Sequence, residues 1–282
     1  MMNLSRSRFQ PLWCFIFGIL TSVSLPAHAD VLIYPTRLVL EDGNRAAKLE
    51  LVNRSSEPAT FRIFLVNRRM NEYGEFSPAE PPLPEERFAS QLIRYSPRQV
   101  RIEPGESQTV RLAVRKPANL DQGEYRSHLL FEKQPDVGIS SSVESIQGSG
   151  SGGIEVRLQA LVGISIPVIV RHGKLSATVV LSNLGLEAST PDANVLRFEI
   201  ARTGGQSIYG DITVTLSRAQ EEQVVARARG VAVYFPNPLR IARLKLPSEI
   251  SPLQPGDRLT VRFTTPVDQG ERLLAEAALL IP

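Results

Sequence analysis

The side chains that most often carry catalysis are scarce in this sequence. It contains three histidines and one cysteine, and His128 and His172 lie far apart along the chain. Two lone histidines make a poor zinc site, because structural zinc takes four ligands. The spacings G-x-S-x-G, H-E-x-x-H and that of the phosphate-binding P-loop are absent. The residues therefore do not indicate an enzyme, a cofactor or a metal site, although 29 acidic residues leave a glycosidase-type carboxylate pair open.

The N-terminal segment has the pattern of a secretory signal peptide. Arg6 and Arg8 precede an apolar run over 11–20, and Ala27-His28-Ala29 is a small-x-small cleavage site. We expect the mature chain to begin at Asp30 and to contain no cysteine, because the one cysteine falls within the apolar run. A chain of this size without disulfides suits a bacterial periplasm.

The charge balance does not favour nucleic-acid binding. Removal of Arg6 and Arg8 takes the basic residues from 32 to 30 against 29 acidic ones, so the mature net charge is close to +1. A nucleic-acid footprint needs a clustered basic surface with stacking aromatic side chains. No later stretch reaches about 18 consecutive apolar residues, so we expect no membrane span.

The most regular pattern in the chain covers 154–171. Every even position from Ile154 to Val170 is apolar, and a period of two is typical of a β-strand, because alternate side chains share one face. At about 3.3 Å per residue the stretch would span roughly 50 Å, about three times the usual strand length. The Gly- and Ser-rich run 148–153 precedes it, so its leading half is expected to be free to pair outside the fold. The alternative is an ordinary long core strand.

Short alternating segments punctuated by Gly and Pro fill the rest of the chain, which predicts an all-β protein. Seven such segments follow His172 within about 110 residues and fit one β-sandwich, although 273–280 could equally be a short helix by composition. The alternating runs 99–102 and 107–114 flank Glu103-Pro104-Gly105-Glu106, which predicts a hairpin.

One strand carries two residues of interest. Tyr125 follows Asp121-Gln122-Gly123-Glu124 and matches the tyrosine corner of immunoglobulin-type sandwiches, in which the phenol bonds back to the backbone. His128 alternates with polar Ser127 and is predicted to be partly exposed, whereas His172 is predicted at a domain junction.

Four segments together resemble the PapD-like periplasmic pilus chaperones. The likeness covers most of 31–171, and beyond residue 171 it depends only on the regular spacing of the predicted strands. The chain is similar to the archaic, Csu-type branch of that family in three features. These are the absence of cysteine from the mature chain, the long loop before the 154–171 strand, and the motif Thr36-Arg37-Leu38. The four segments are Tyr34-Pro35-Thr36-Arg37-Leu38-Val39-Leu40, Glu57-Pro58, the run 102–112, and 125–131 followed by the long strand.

The resemblance implies two immunoglobulin-like β-sandwich domains set at an angle. After a signal peptide at 1–29, residues 30–171 would form the N-terminal domain with a donor strand at 154–171, and 172–282 the C-terminal domain. Such a protein is a periplasmic chaperone, not an enzyme, and needs no cofactor. It binds pilus subunits by donating a β-strand and delivers them to an outer-membrane usher for pilus assembly. The free protein could self-associate to hide its strand. The implied donor side chains are Ile154, Val156, Leu158, Ala160, Val162 and Ile164.

The resemblance also implies an anchor for the subunit's C-terminal carboxylate. In the family this group is held between the domains by an Arg of the first strand and a Lys near the end of the donated strand. Thr36-Arg37 matches the first cation, but Pro167 occupies the position of the second. Arg126 on the preceding strand is the candidate replacement, because a planar guanidinium can bind a carboxylate bidentately. The alternative role for Arg37 is a surface or interdomain salt bridge.

Two other classes remain open. A structural pilus subunit would carry its alternating donor strand just after the signal, whereas the longest alternation here is internal. A cell-envelope interaction protein of immunoglobulin-like fold would explain the strand rhythm, but it leaves the Gly-Ser run and the long strand after it without a role.

Overall fold

The computed structural model is built of β-strands, with short 3-10 turns at Ser248–Ile250 and Val267–Gln269. The strands form two sandwiches, which confirms the predicted fold class. The residues described are 31–135, 163–190, 193–219, 221–250 and 252–282.

Among these residues no helix has the length and apolar character needed to cross a bilayer.

The first sandwich packs two sheets, with strand orders β1-β3-β9-β7 and β2-β11-β10-β4-β8, and β5 and β6 form a separate hairpin. Strand β1 pairs with β3, whereas β2 runs parallel to β11. The N-terminal stretch therefore crosses from one sheet to the other at Pro35-Thr36-Arg37. The strands are β1 (Val31–Tyr34), β2 (Leu38–Leu40), β3 (Ala46–Asn53), β4 (Ala59–Val66), β5 (Arg68–Met70), β6 (Phe76–Pro78), β7 (Ile93–Ser96), β8 (Gln99–Ile102), β9 (Ser107–Val114), β10 (Gly123–Lys133) and β11 (Gly163–His172).

The trailing half of the predicted long strand is a core strand of this sandwich. Ile166, Val168 and Val170 are at most 3% exposed and pack with Leu129 and Phe131 of the neighbouring β10. This is the packing that a period of two requires, because the even positions share one face. The even-numbered side chains are therefore buried in the core at the end of the strand and become exposed toward residue 164.

The predicted hairpin between 99–102 and 107–114 is wrong. Strand β8 pairs with β4, whereas β9 pairs with β3 and β7 in the other sheet. The turn between them crosses the sandwich and is held by Asn53, whose backbone N donates to Glu106 O at 3.0 Å and whose O accepts from Gly105 N at 2.9 Å. Alternation marks both strands, but it does not say which sheet each one joins.

The second sandwich packs sheets of order β12-β13-β16 and β15-β14-β17-β18 around Phe198, Ile212, Leu259 and Phe263. Residues 273–280, whose composition left a helix open, form the last strand. The strands are β12 (Ala177–Thr190), β13 (Ala193–Gly204), β14 (Ile208–Arg218), β15 (Glu221–Val233), β16 (Leu239–Lys245), β17 (Arg258–Thr264) and β18 (Leu273–Leu280).

The tyrosine corner is present and gives a stability prediction. Tyr125 Oη donates to Asp121 O at 2.8 Å, so Tyr125→Phe should lower the free energy of unfolding by about 1 kcal/mol through the lost hydrogen bond. Urea denaturation measures the loss. The control is Tyr34→Phe, because the Tyr34 side chain is 71% exposed. Equal effects of the two substitutions would refute a structural role for the Tyr125 hydroxyl.

Candidate functional site at the junction of the two sandwiches

The outer face of the sheet containing β2, β11 and β10 lies against the second sandwich. Val39 pairs with Ile169, and Ile169 pairs with Arg126, so these three side chains form a row across that face. Ile169 is fully buried in a small cluster with Ala232 and Tyr234 of the second sandwich. Polar side chains that share this row are consequently removed from water at the junction.

Arg126 lies between aromatic rings. The residue is 8% exposed, and its Cζ is 4.5 Å from the centroid of the Tyr234 ring and 5.9 Å from that of Phe76. Burial lowers the pKa of Arg126, and Tyr234 partly opposes this shift. Its Nε and Nη1 are buried without a hydrogen-bond partner. Aromatic faces thus hold the cation, while its donors are left for an acceptor that the described residues do not supply.

Arg37 is held in a similar way. Its Cζ lies 4.5 Å from the centroid of the Tyr209 ring, and its Nε and Nη2 are buried without a partner. Burial lowers its pKa, with Tyr234 the largest opposing influence. The alternative of a salt bridge is not seen, because no described carboxylate pairs with this guanidinium. Both predicted anchor residues therefore face Tyr234, whose own pKa is raised by burial.

The buried carboxylate nearest to this site is already engaged. Glu124 accepts hydrogen bonds from Arg171 Nε at 3.0 Å and from the backbone N of Ser207 at 3.0 Å, and the Ser207 hydroxyl also donates to it. Arg171 Nη1 reaches Glu41 Oε1 at 3.0 Å. This network joins the end of β11 to the second sandwich and leaves little acceptor capacity for Arg37 or Arg126.

The β5–β6 hairpin covers the junction from the other side. Although it belongs to the first sandwich, its Met70 O accepts from Asn237 Nδ2 at 2.5 Å, and its Glu72 O accepts from Ile241 N at 2.7 Å. The guanidinium of Arg243 stacks on its Tyr73, 5.6 Å from the ring centroid. The hairpin thus connects the two sandwiches through two hydrogen bonds and one stacking contact.

His128 is buried, so the prediction of a partly exposed residue is wrong. It is 2% exposed, and Phe76 of the hairpin meets it edge-on with 4.9 Å between the ring centroids. Burial, together with the charges of Arg126 and Arg68, lowers the pKa of His128 to about 3. Alternation along a strand separates its two faces, but it carries no information on what covers the outer face. His172, as predicted, lies where β11 leaves the first sandwich, with Nδ1 3.2 Å from Asp42 Oδ1.

Pro167 pairs with His128 on β10, two residues from Arg126. Neither residue of that pair is a cation here, since the imidazole is kept neutral. The register therefore makes Arg126 the next outer-face residue of β10 toward the end of β11.

The leading part of β11 has an open edge. Strand β2 pairs only with Val168–Val170, so 163–167 have β10 on one side and no described strand on the other. Ile164 is 37% exposed at this rim. Of the predicted donor side chains, only Ile164 lies within the described part of the chain. Outside it lie Ile154, Val156, Leu158, Ala160 and Val162.

No group of three or more His, Asp or Glu side chains in the described ranges could hold a metal ion.

No protein-family model matches the chain, and no curated protein sequence matches it. Several solved structures are similar to it. The YadV chaperone aligns with a TM-score of 0.45 and 11% identity over 90% of this chain and 100% of its own. The CupB2 chaperone of Pseudomonas aeruginosa aligns with a TM-score of 0.42 and 13% identity over 89% of this chain and 100% of its own. The CsuC-CsuE chaperone–tip adhesion subunit complex from archaic chaperone-usher Csu pili of Acinetobacter baumannii aligns with a TM-score of 0.40 and 15% identity, over 76% of this chain and 90% of that one.

Burial of neutral His128 predicts a pH-dependent stability. Its folded pKa is about 3 and that of an unfolded histidine is about 6.5, so acid protonates the unfolded chain first. The His128 contribution is fully present above about pH 6.5 and is lost as the pH falls toward 3, by at most about 1.4 kcal/mol per pH unit. His128→Gln should flatten this part of the dependence, measured by urea unfolding at about pH 7, 5.5 and 4.5.

The control is His172→Gln, which removes a partly exposed histidine and should retain the acid-induced loss attributed to His128. If the free energies of unfolding of the wild type and of His128→Gln change equally with pH across this range, His128 is not the group that titrates.

Proposed function

We propose that this protein is a periplasmic chaperone for pilus subunits, which it binds by donating a β-strand and delivers to an outer-membrane usher. One observation carries the proposal: two buried guanidiniums without acceptors, those of Arg37 and Arg126, lie beside a strand whose leading part has an open edge. The signal-peptide pattern of the sequence supports the periplasmic location. In this proposal 30–171 form the subunit-binding domain and 172–282 the second domain.

The two arginines are suited to the terminal carboxylate of a bound chain. A buried polar group without a partner is costly, and a buried charge more so. A carboxylate entering the junction would satisfy donors on both arginines with charge-assisted hydrogen bonds, which are about twice as strong as neutral ones. A chain terminus can reach such a narrow site more easily than a side chain in the middle of a rigid sheet. The terminal carboxylate of a subunit therefore fits the site's chemistry.

The open edge of β11 is suited to pairing with an incomplete sheet. Residues 163–167 keep backbone groups on one side free of a described strand, and an edge of this kind is a template for another chain. Pro167, which cannot donate to a ladder, is tolerated at such an edge. The apolar row of the sequence continues from Ile164 back to Ile154, so a partner that lacks one strand could bury that row in its groove.

The energetics favour a tight but exchangeable complex. Burial of the five side chains from Ile154 to Val162 contributes on the order of 8 to 12 kcal/mol, and ordering the loop and the partner offsets much of this. A competing strand that fits better, such as the extension of another subunit, can then replace the donor. Assembly driven in this way by packing needs no nucleotide or other cofactor.

Leu158→Asp should abolish subunit capture, because a carboxylate would be buried in the subunit's apolar groove. The measurement is co-expression with a secreted subunit encoded beside an usher gene, followed by size-exclusion chromatography. The matched control is Gln159→Asp, which adds the same charge on the opposite face of the segment and should retain the complex. A stoichiometric complex with Leu158→Asp would disprove donation by the even positions.

Arg37→Ala should weaken subunit binding by about tenfold or more, the value of one lost charge-assisted hydrogen bond. The melting temperature should move by no more than about 3 °C, because the buried donors of Arg37 have no acceptor in the free protein. Titration calorimetry with the purified subunit and a thermal melt measure the two quantities.

Arg98→Ala is the matched control, since Arg98 stacks on Tyr95 at 5.1 Å but is exposed. A large loss of stability without a specific loss of affinity would make Arg37 a structural residue.

A further inference from the structure

A third arginine adjoins this site and was not singled out by the sequence. Arg68 opens the β5–β6 hairpin, and its Nε is buried without a hydrogen-bond partner. Val66, two residues earlier, pairs with His128, and Ser127 Oγ donates to Asn67 Oδ1 at 2.7 Å, so Arg68 follows beside this part of β10. The charges of Arg68 and Arg126 both lower the pKa of His128. Phe76 of the same hairpin contacts His128 and lies over Arg126. Arg68 and Arg126 therefore both border the space around His128.

The carboxylates near these arginines are committed elsewhere. Glu124 is held by Arg171 and Ser207, as described above. Glu86 accepts two hydrogen bonds from Arg69, at 2.6 and 2.7 Å, and one from Leu83 N at 2.8 Å. The neighbouring acids thus have partners of their own, and the positive charge of Arg37, Arg68 and Arg126 is left for a ligand to balance.

One carboxylate is not enough to do this. Five guanidinium nitrogens are buried without a partner: Nε and Nη2 of Arg37, Nε and Nη1 of Arg126, and Nε of Arg68. A carboxylate can accept about four hydrogen bonds. This is fewer than the hydrogens on these five nitrogens, because each Nη carries two and each Nε carries one. A single terminal carboxylate also leaves two of the three positive charges uncompensated. The donor set therefore calls for a second acidic group.

We propose that Arg68 is a specificity-determining residue that binds an acidic side chain close to the C-terminus of the bound subunit. This inference rests on the proposed function, in which Arg37 and Arg126 bind the terminal carboxylate. Side chains two residues apart on an extended segment share one face and lie about 7 Å apart. An aspartate two residues before the C-terminal residue would consequently lie on the same face as the C-terminal side chain, about 7 Å from the anchored residue.

The hairpin that carries Arg68 also covers the site. Phe76 is 41% exposed, although its ring lies over Arg126 and against His128. Phe76→Ala opens the same site while keeping all three arginines in the chain.

The test uses acetylated hexapeptides of threonine and alanine with a free C-terminal carboxylate. One peptide has aspartate two residues before its C-terminal residue, and the other has the isosteric asparagine. Calorimetry on the full chain should give a dissociation constant about tenfold or more lower for the aspartate peptide, the effect of one added charge-assisted hydrogen bond. Amidated versions of both peptides should bind much more weakly.

The decisive variant is Arg68→Gln. It should bring the two dissociation constants together while leaving that of the asparagine peptide unchanged. The matched control is Arg62→Gln, which removes the same charge from an exposed arginine that stacks on Phe64 at 5.2 Å. This control should keep the preference for aspartate.

The remaining outcomes separate the two proposals. Equal affinity of the wild type for both free-acid peptides, with weaker amidated peptides, overturns the role of Arg68 and leaves the anchor in place. An equal loss for both peptides in Arg68→Gln makes its contribution non-specific and likewise overturns the inference. If neither peptide binds to the wild type or to Phe76→Ala, the anchor and the second acid are both refuted.

Discussion

The junction of the two sandwiches depends on cations held by aromatic rings where carboxylates would be usual. A desolvated cation–π contact is worth about 2 kcal/mol, whereas moving a charged group out of water costs several kcal/mol even after relaxation. Arg37 on Tyr209 and Arg126 on Tyr234 are therefore only partly compensated in the free protein. The surrounding packing must hold them there, so that their donors are already positioned and dehydrated in the free protein.

Several features of the fold serve this arrangement. The crossing of the N-terminal stretch between sheets brings Arg37 to the edge of β2, and the register of β2, β11 and β10 places Ile169 beside Arg126. The Glu124 network fixes the end of β11 against the second sandwich, and its hydrogen bonds go to Arg171 and Ser207 and not to Arg37 or Arg126. A short strand β2 leaves the leading part of β11 open, so the open edge belongs to the strand that lies between β2, which Arg37 precedes, and β10, which carries Arg126.

Much of this could be predicted from the sequence, because it follows from local periodicity and from motifs. The alternation gave the all-β class, Asp121 to Tyr125 gave the tyrosine corner, and the Thr36-Arg37 match and the neighbouring strand led to both arginines. What failed depends on contacts distant in sequence. The sheet that β8 joins is decided by its pairing with β4, and the burial of His128 by the ring of Phe76 that packs on it. Nothing local to Arg68 shows that its Nε is buried without a partner. Asn71-Glu72-Tyr73-Gly74 has the composition of a turn, but nothing local shows where the hairpin around it docks.

The backbone contact between Glu72 and Ile241 has a protective consequence as well. Strand β16 is the last strand of its sheet, and the hairpin occupies a peptide N–H that faces away from β13. The unpaired edge of a strand can pair with other molecules without specificity, which leads to aggregation. Under the proposed function β11 pairs with a subunit, and the hairpin's cover over the edge of β16 keeps that second edge from competing for the same partner.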